Sequence, residues 1–285
     1  MRPLLIAVAA AALTVTTITV PTTARAAESL TDEFDGAAGA APDSALWRYD
    51  TGGGGWGNNE KQTYTNSREN SRLDGNGNLL IQARGSGNSW TSARLTTKGT
   101  FSFTYGTVAA RIAIPHGQGL HTGFWTLGTD HDLVGFPRSG ELDIAEAINA
   151  NDWVHVGLHG PTGLTTGSGS IDSGSAAFGS LAGVLPLPDG LNGRYQHGYN
   201  ITGIDPTAFH TYAVTKTSTQ ITFSFDGSAV YTFKRSGLAT GEQWVFDKPM
   251  YAILNLAVGG IWPGAADSTT PSPATMTVAW VRYSP

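Results

Sequence analysis

Apolar side chains recur at every second position along much of this chain, and that period constrains its fold more than any other feature. Over residues 107–114, Val108, Ala110, Ile112 and Ile114 share one phase. Successive strand side chains point to opposite faces, so this period marks a strand with one buried face. Further strand signals fall at 79–83, 92–97, 123–127, Glu141–Ile148, 153–159, 221–225, 228–233, Met250–Val258 and 275–283. No stretch keeps a 3.6-residue apolar stripe for three turns. Asp226-Gly227, between two of these segments, is a two-residue hairpin signal. With 37 glycines to supply turns, the pattern predicts an all-β chain. The expected architecture is two stacked antiparallel sheets, a jelly-roll type of sandwich.

Residues 162–208 break this rhythm. They are rich in Gly, Ser and Pro and carry few apolar runs, which predicts a long loop, either functional or a plain surface insertion. Tyr195, His197 and Tyr199 lie inside it and are placed to wall a cleft.

Residues 1–26 read as a secretory signal peptide: Arg2 first, then an apolar stretch from Leu4 to Val20, then Ala24-Arg25-Ala26 as a cleavage site. The remaining 259 residues, 27–285, suit a single domain, with no repeat or linker. Losing the two leader arginines takes the net charge from −5 to −7. Such a chain lacks the basic footprint of a nucleic-acid binder and suits a neutral partner. No later segment is long enough to span a membrane, so a secreted, extracellular protein is expected. The chain has no cysteine, which excludes disulfides and thiolate metal sites. Eight tryptophans suit sugars: a pyranose face stacks on an indole, and the N–H is left for a hydrogen bond. Nothing calls for an obligate oligomer, and a monomer is expected.

Within this frame, 140–146 reads Gly-Glu-Leu-Asp-Ile-Ala-Glu. On a strand Glu141 and Asp143 share a face, whereas Glu146 would fall on the other. A bulge that absorbs Ile144 or Ala145 restores its phase and puts all three acids together. Two carboxylates about 5–5.5 Å apart are what a retaining glycosidase uses, and a third acid between them can tune both. A solvated acidic edge strand and a calcium or magnesium site are the rival readings. The neighbouring residues provide no regular loop of oxygen ligands, and neither a metal nor a cofactor is expected.

The motifs extend well beyond the acids. They run from Asp32-Glu33-Phe34-Asp35 through Gly55-Trp56-Gly57-Asn58-Asn59-Glu60, Ser92-Ala93-Arg94-Leu95 and Phe124-Trp125 to Gly140–Glu146. Leu158-His159-Gly160, Phe209-His210-Thr211-Tyr212 and Trp244–Pro263 follow in order. In these blocks the chain resembles glycoside hydrolase family 16, in its bacterial endo-β-1,3-glucanase (laminarinase) branch. The resemblance implies a jelly-roll with a concave cleft across one sheet. It aligns Glu141 with the nucleophile, Glu146 with the acid/base and Asp143 with the acid between them. Glu141 must then be ionised, while Glu146 must start protonated, with help from the charge of Asp143. The three are expected to titrate as a coupled set.

Trp125 is the expected stacking residue near the scissile sugar. Trp56 and Trp262, in glycine-rich loops, line the glycone side by resemblance. Asn58 and Arg94 are candidates for hydrogen bonds to sugar hydroxyls. Asn255 lies in an apolar run, so its amide needs a partner, sugar or backbone. His155 and His159 share a strand face about 13 Å apart, too far to chelate one metal. His159 aligns with a family histidine in the cleft, and His155 is read as structural.

Several positions depart from the family. His121-Thr122 stand where Trp-Pro is frequent, Lys216 where Trp is frequent (a packing change), and Thr107 where Arg is frequent. Many relatives bind calcium on the convex face through an Asp in the last strand. That position here is Ala279. The reading that emerges is a secreted, endo-acting retaining hydrolase that cleaves β-1,3-glucan by double displacement. A second keeps the acids for another polymer, a mixed-linkage β-glucan or a galactan, or for transglycosylation. A third is a non-catalytic glucan-binding protein, against which the three clustered acids argue.

Overall fold

The computed structural model describes residues 29–163 and 193–285. The expected leader and the middle of the 162–208 segment lie outside the described residues. In chain order the strands begin with β1 (Leu30–Asp32), β2 (Arg48–Asp50), β3 (Gln62–Tyr64), β4 (Ser71–Leu73), β5 (Leu79–Ser86) and β6 (Ser89–Ser92). Next come β7 (Arg94–Thr96), β8 (Gly106–Ala113), β9 (Leu120–Gly128), β10 (Glu141–Ile148), β11 (Trp153–Pro161) and β12 (Arg194–Thr202). The last are β13 (His210–Lys216), β14 (Gln220–Phe225), β15 (Ser228–Lys234), β16 (Met250–Val258) and β17 (Ala274–Ser284). A single α-helical turn, α1 (His131–Val134), is the only α-helix among the described residues. None of their helices is long and apolar enough to cross a membrane.

Two sheets result. One runs β15-β14-β13-β8-β17-β5-β6-β3, with β1 on β17 and β4 on β5. The other runs β12-β11-β10-β9-β16-β7-β2. This is the expected jelly-roll sandwich, with one exception to its antiparallel pairing: β3 runs parallel to β6. The core lies between the sheets. Val108, Ala110, Ile112 and Ile114 are all buried there, as their phase requires, against residues such as Leu142, Ile144 and Leu254 from the facing sheet. Each large apolar side chain so buried contributes about 1.5–3 kcal/mol.

The hairpin signal is realised: β14 pairs with β15 around Asp226 (φ 46°) and Gly227 (φ 80°). The signal at 92–97 belongs to two strands, β6 and β7, one in each chain of pairings. The expected loop over 162–208 is corrected at its C-terminal end, where β12 pairs along its whole length with β11. Its short apolar content follows from its edge position, because Gln196, Gly198 and Asn200 need no core. Tyr195 is fully buried and donates its hydroxyl to the Gln243 carbonyl at 3.0 Å, so it walls no cleft. Lys216 confirms a packing change. It is fully buried, donates to the Lys248 carbonyl at 2.7 Å and lies 5.1 Å from the Phe103 ring. Thr107 pairs with Thr215 across the strands at 2.8 Å.

Candidate active site

β10 carries the predicted bulge. Asp143 is opposite Trp125 of β9, but Ala145, not Ile144, is opposite Phe124. On the other side Asp143 faces Gly157 and Glu146 faces His155 of β11. The extra residue turns Ile144 and Ala145 both into the core, where they are buried with Leu142. Glu141, Asp143 and Glu146 therefore leave the strand on the opposite, open face of the seven-stranded sheet. Glu141 and Glu146 expose 19% and 24% of their side chains, Asp143 only 6%. The two glutamates are accessible to a substrate, and Asp143 lies beneath them.

Residues opposite one another in antiparallel strands share a face, so the registers lay out this surface in rows. His159, Glu141, Leu127 and Tyr251 form one row. Gly157, Asp143, Trp125 and Ile253 form the next. His155, Glu146, Gly123, Asn255 and Arg94 form the third. Gly123 lies beside Glu146, between His121 and Trp125, with its Cβ position already closed in by neighbours. A Cβ there would meet Asn255 Oδ1 at 2.8 Å and Trp125 Cδ1 at 3.0 Å.

Imidazoles crowd the acids. His159 Nε2 is 3.2 Å from Asp143 Oδ2 and 3.8 Å from Glu141 Oε1. His121 Nε2 lies 2.8 Å from Glu146 Oε1. Burial, then the charge of Asp143, push Glu141 up to about 8, against the opposing pull of His159. Burial and the Glu146 charge hold Asp143 well above the ordinary carboxylate range. Burial also pushes Glu146 up. The hydrogen bond and charge of His121, with His155 and His159 behind it, outweigh that and bring Glu146 below its ordinary value. The hydrogen bond with His121 thus works against the protonated Glu146 that donation to a leaving oxygen requires. Burial lowers His159, although Glu141 and Glu146 oppose the shift.

Glu141, Asp143 and His159 can each offer a ligand atom, all within 4.8 Å of one another. Ligands on one tetrahedral zinc ion, at about 2.0–2.2 Å from it, lie about 3.3–3.6 Å apart. Here His159 Nε2 is 3.2 Å from Asp143 Oδ2 and 3.8 Å from Glu141 Oε1. At Ala279 the side chain offers no metal ligand, and β17 is irregular there, between Val278 and Trp280.

The other expected contacts resolve in detail. Arg94 lies 4.7 Å from the Trp125 ring and 5.0 Å from the Trp56 ring, and its Nε binds Asp50 at 3.0 Å. It joins two aromatic residues and holds Asp50 through Nε alone. Trp125 donates its indole N–H to Asn255 Oδ1 at 2.7 Å, and Asn255 donates in turn to the Tyr64 hydroxyl at 3.1 Å. The partners of Asn255 are therefore side chains, neither sugar nor backbone. Trp56 donates its N–H to the Gly52 carbonyl at 3.1 Å. Both indoles spend on protein the N–H expected for substrate and leave ring surface only. Asn58 accepts from the Ile261 N–H at 3.1 Å and ties the Trp56 loop to the Trp262 loop. His159 is buried, at 4% exposure, and meets the acids rather than open solvent.

The sequence reading missed several residues. Trp153 has the phase of His155 and His159, and its ring is 5.8 Å from Trp262; that phase was the available signal. Trp262 also meets His121 edge-on at 5.3 Å. Glu60 lies beneath the chain from Trp125, accepting from Gln62 at 2.5 Å and Tyr64 at 3.4 Å, and burial raises its carboxyl. His155 is held by Asn200 at 2.7 Å and lies opposite Glu146 in the strand register.

Comparison with known proteins accords with this geometry. Residues 57–180, which include the three acids, match an XgeA-like catalytic GH16 domain. Residues 190–282 match glycosyl hydrolases family 16. The chain is 37% identical to a beta-glucanase of Rhodothermus marinus, over 88% of this chain and 82% of the relative. The crystal structure of a laminarinase from Rhodothermus marinus superposes with a TM-score of 0.71 at 35% identity, covering 89% of this chain and 95% of that one. An endo-beta-1,3-glucanase from Pyrococcus furiosus also gives 0.71, at 34% identity, covering 90% and 93%. The chain spans only 32% and 36% of the length of two further relatives. The bulged acid strand, the sandwich that carries it and an identity of 37% across most of both chains lead to one conclusion: this chain belongs to glycosyl hydrolase family 16.

Proposed function

We propose that the protein is an endo-acting retaining hydrolase of β-1,3-glucan, secreted after loss of residues 1–26. The observation that carries this is the bulge in β10, which sets Glu141 and Glu146 on one open face with Asp143 buried beneath them. The substrate follows from the relatives, among them a laminarinase and an endo-beta-1,3-glucanase.

Glu141 attacks the anomeric carbon while Glu146 protonates the leaving oxygen, and water then releases the glycosyl-enzyme with Glu146 as base. Before reaction the protons sit elsewhere. Glu141, pushed up to about 8, retains one at neutral pH, while the bond between His121 and Glu146 raises the imidazole and lowers the carboxyl. Asp143 is raised as well, by burial and the Glu146 charge, so the acids share protons as a coupled set and Glu141 attacks from the microstate in which it is ionised. Sugar rings stack on Trp125, Trp56, Trp262 and Trp153, whose polar atoms, where their partners are known, are tied to protein.

The test is incubation of the mature protein with a soluble, mainly β-1,3-linked glucan. Mixed oligosaccharides are expected early, with the β-anomer formed first by NMR. Cleavage only of a mixed-linkage β-glucan or a galactan would reassign the substrate. Tight binding without product would reassign the protein as a glucan-binding one.

A further inference from the structure

In the row plan of the open face His121 follows the third row along β9, opposite Ile148 and two residues before Gly123. Its Nε2 is 2.8 Å from Glu146 Oε1, and this is the one hydrogen bond made by the ring among the described residues. Trp262 stands edge-on against the imidazole at 5.3 Å and 90°. With a side-chain exposure of 14%, His121 is largely screened from solvent, whereas Glu146 exposes 24% of its side chain. A titratable ring is thus bonded to the accessible carboxylate while itself more screened.

We propose that His121 is a positioning residue that stores the proton Glu146 gives to the leaving glycosidic oxygen and takes it back when water is activated. This rests on Glu146 being the acid/base. In the first half-reaction the Nε2–H bond of the imidazolium breaks as an O–H bond forms on Glu146. The carboxyl torsion, which is broad and two-fold, turns that proton toward the substrate. The proton passes to the glycosidic oxygen as its bond to the anomeric carbon breaks and the bond to Glu141 forms. His121 is left neutral with its proton on Nδ1. In the second half-reaction water adds to the anomeric carbon and the bond to Glu141 breaks. The water proton goes to Glu146 and on to Nε2, restoring the ion pair.

The charges around the pair favour this arrangement. Glu146 faces His121 from β10, Glu60 faces it from the segment before β3, and Asp143 lies in the adjacent row. Burial pulls the imidazole down, but these three carboxylates leave it above its ordinary value. On its other sides Glu146 faces His155 and His159 of β11, and Asp143 and Glu141 lie on its own strand. Among the described residues His121 is the titratable side chain with a hydrogen bond to Glu146, so a proton exchanged with that carboxyl has the shortest route through Nε2.

The experiment compares wild type with His121→Gln and His121→Phe on two substrates. One is a soluble β-1,3-glucan, whose alkoxide leaving group needs protonation. The other is β-laminaribiosyl fluoride, whose leaving group needs little. Both variants are expected to lose kcat on the glucan by on the order of 10²-fold, the scale of general acid assistance, and to stay within about 3-fold on the fluoride. Gln can donate to Glu146 but cannot titrate, so its loss on the glucan separates proton storage from hydrogen bonding. Equal losses on both substrates, or none on the glucan, overturn the proposal. A wild type that cleaves neither overturns the glucanase reading itself. Independently of how the variants fold, ¹⁵N NMR of the His121 ring should show its pKa falling in Glu146→Gln. An unchanged value overturns the pairing.

Discussion

Asp143 Oδ2 lies 3.2 Å from His159 Nε2, beneath the two accessible glutamates. The pair is almost sealed, with each side chain 6% exposed, so Asp143 acts on its neighbours through charge and protons rather than by touching a sugar. Its charge is second only to burial in raising Glu141. In Asp143→Asn that contribution is gone, and Glu141 gives up its proton at lower pH. The acidic limb of the kcat/KM profile is expected to move down by on the order of one pH unit. A limb that stays or moves up would contradict the coupling.

Glu141 and Glu146 are distinguishable by product stereochemistry. Each change to Ala should cut turnover of the glucan about 10³-fold or more. Azide supplied to Glu141→Ala enters the face that the carboxylate vacated and should yield an α-glycosyl azide. In Glu146→Ala the glycosyl-enzyme still forms from an activated substrate, and azide should capture it as the β-azide. Exchanged products in the two variants would exchange the two roles.

Gly123→Ala tests the close packing beside Glu146. Its Cβ would lie 2.8 Å from Asn255 Oδ1, which already accepts the Trp125 indole N–H at 2.7 Å. Overpacking of this kind costs about 1–3 kcal/mol. Urea unfolding should show that loss, and KM for the glucan should rise as Trp125 is displaced. Unchanged KM and stability would mean that the row is looser than its contacts indicate.

Lys216 carries a pH signature in stability. Burial lowers its pKa from 10.5 to about 7. Between those values the unfolded chain binds more protons than the folded one, so this residue makes stability rise with pH across that window. Lys216→Met should therefore raise Tm near pH 6–7, by an amount that shrinks toward pH 10. Melting curves over that range check it, and a gain that grows with pH would exclude the mechanism.

The strand pattern, the Asp226-Gly227 turn and the bulge at Ile144-Ala145 were legible in the sequence, because each depends on neighbours along one strand. Alternation fixes which face is apolar, and three acids in an otherwise apolar strand admit one economical way to share a face. β12 was not legible, since an edge strand needs no apolar period and its pairing partner lies more than thirty positions away. The same limit applied to the site. Nothing near Asn255 in the chain announces Trp125 and Tyr64, which reach it across two other segments. Nor does anything beside His121 announce Glu146, 25 positions on. The sequence determined which residues could carry the chemistry. Only the tertiary structure decided which form each acid takes, because burial and charges brought together from separate strands set a carboxyl's affinity for its proton.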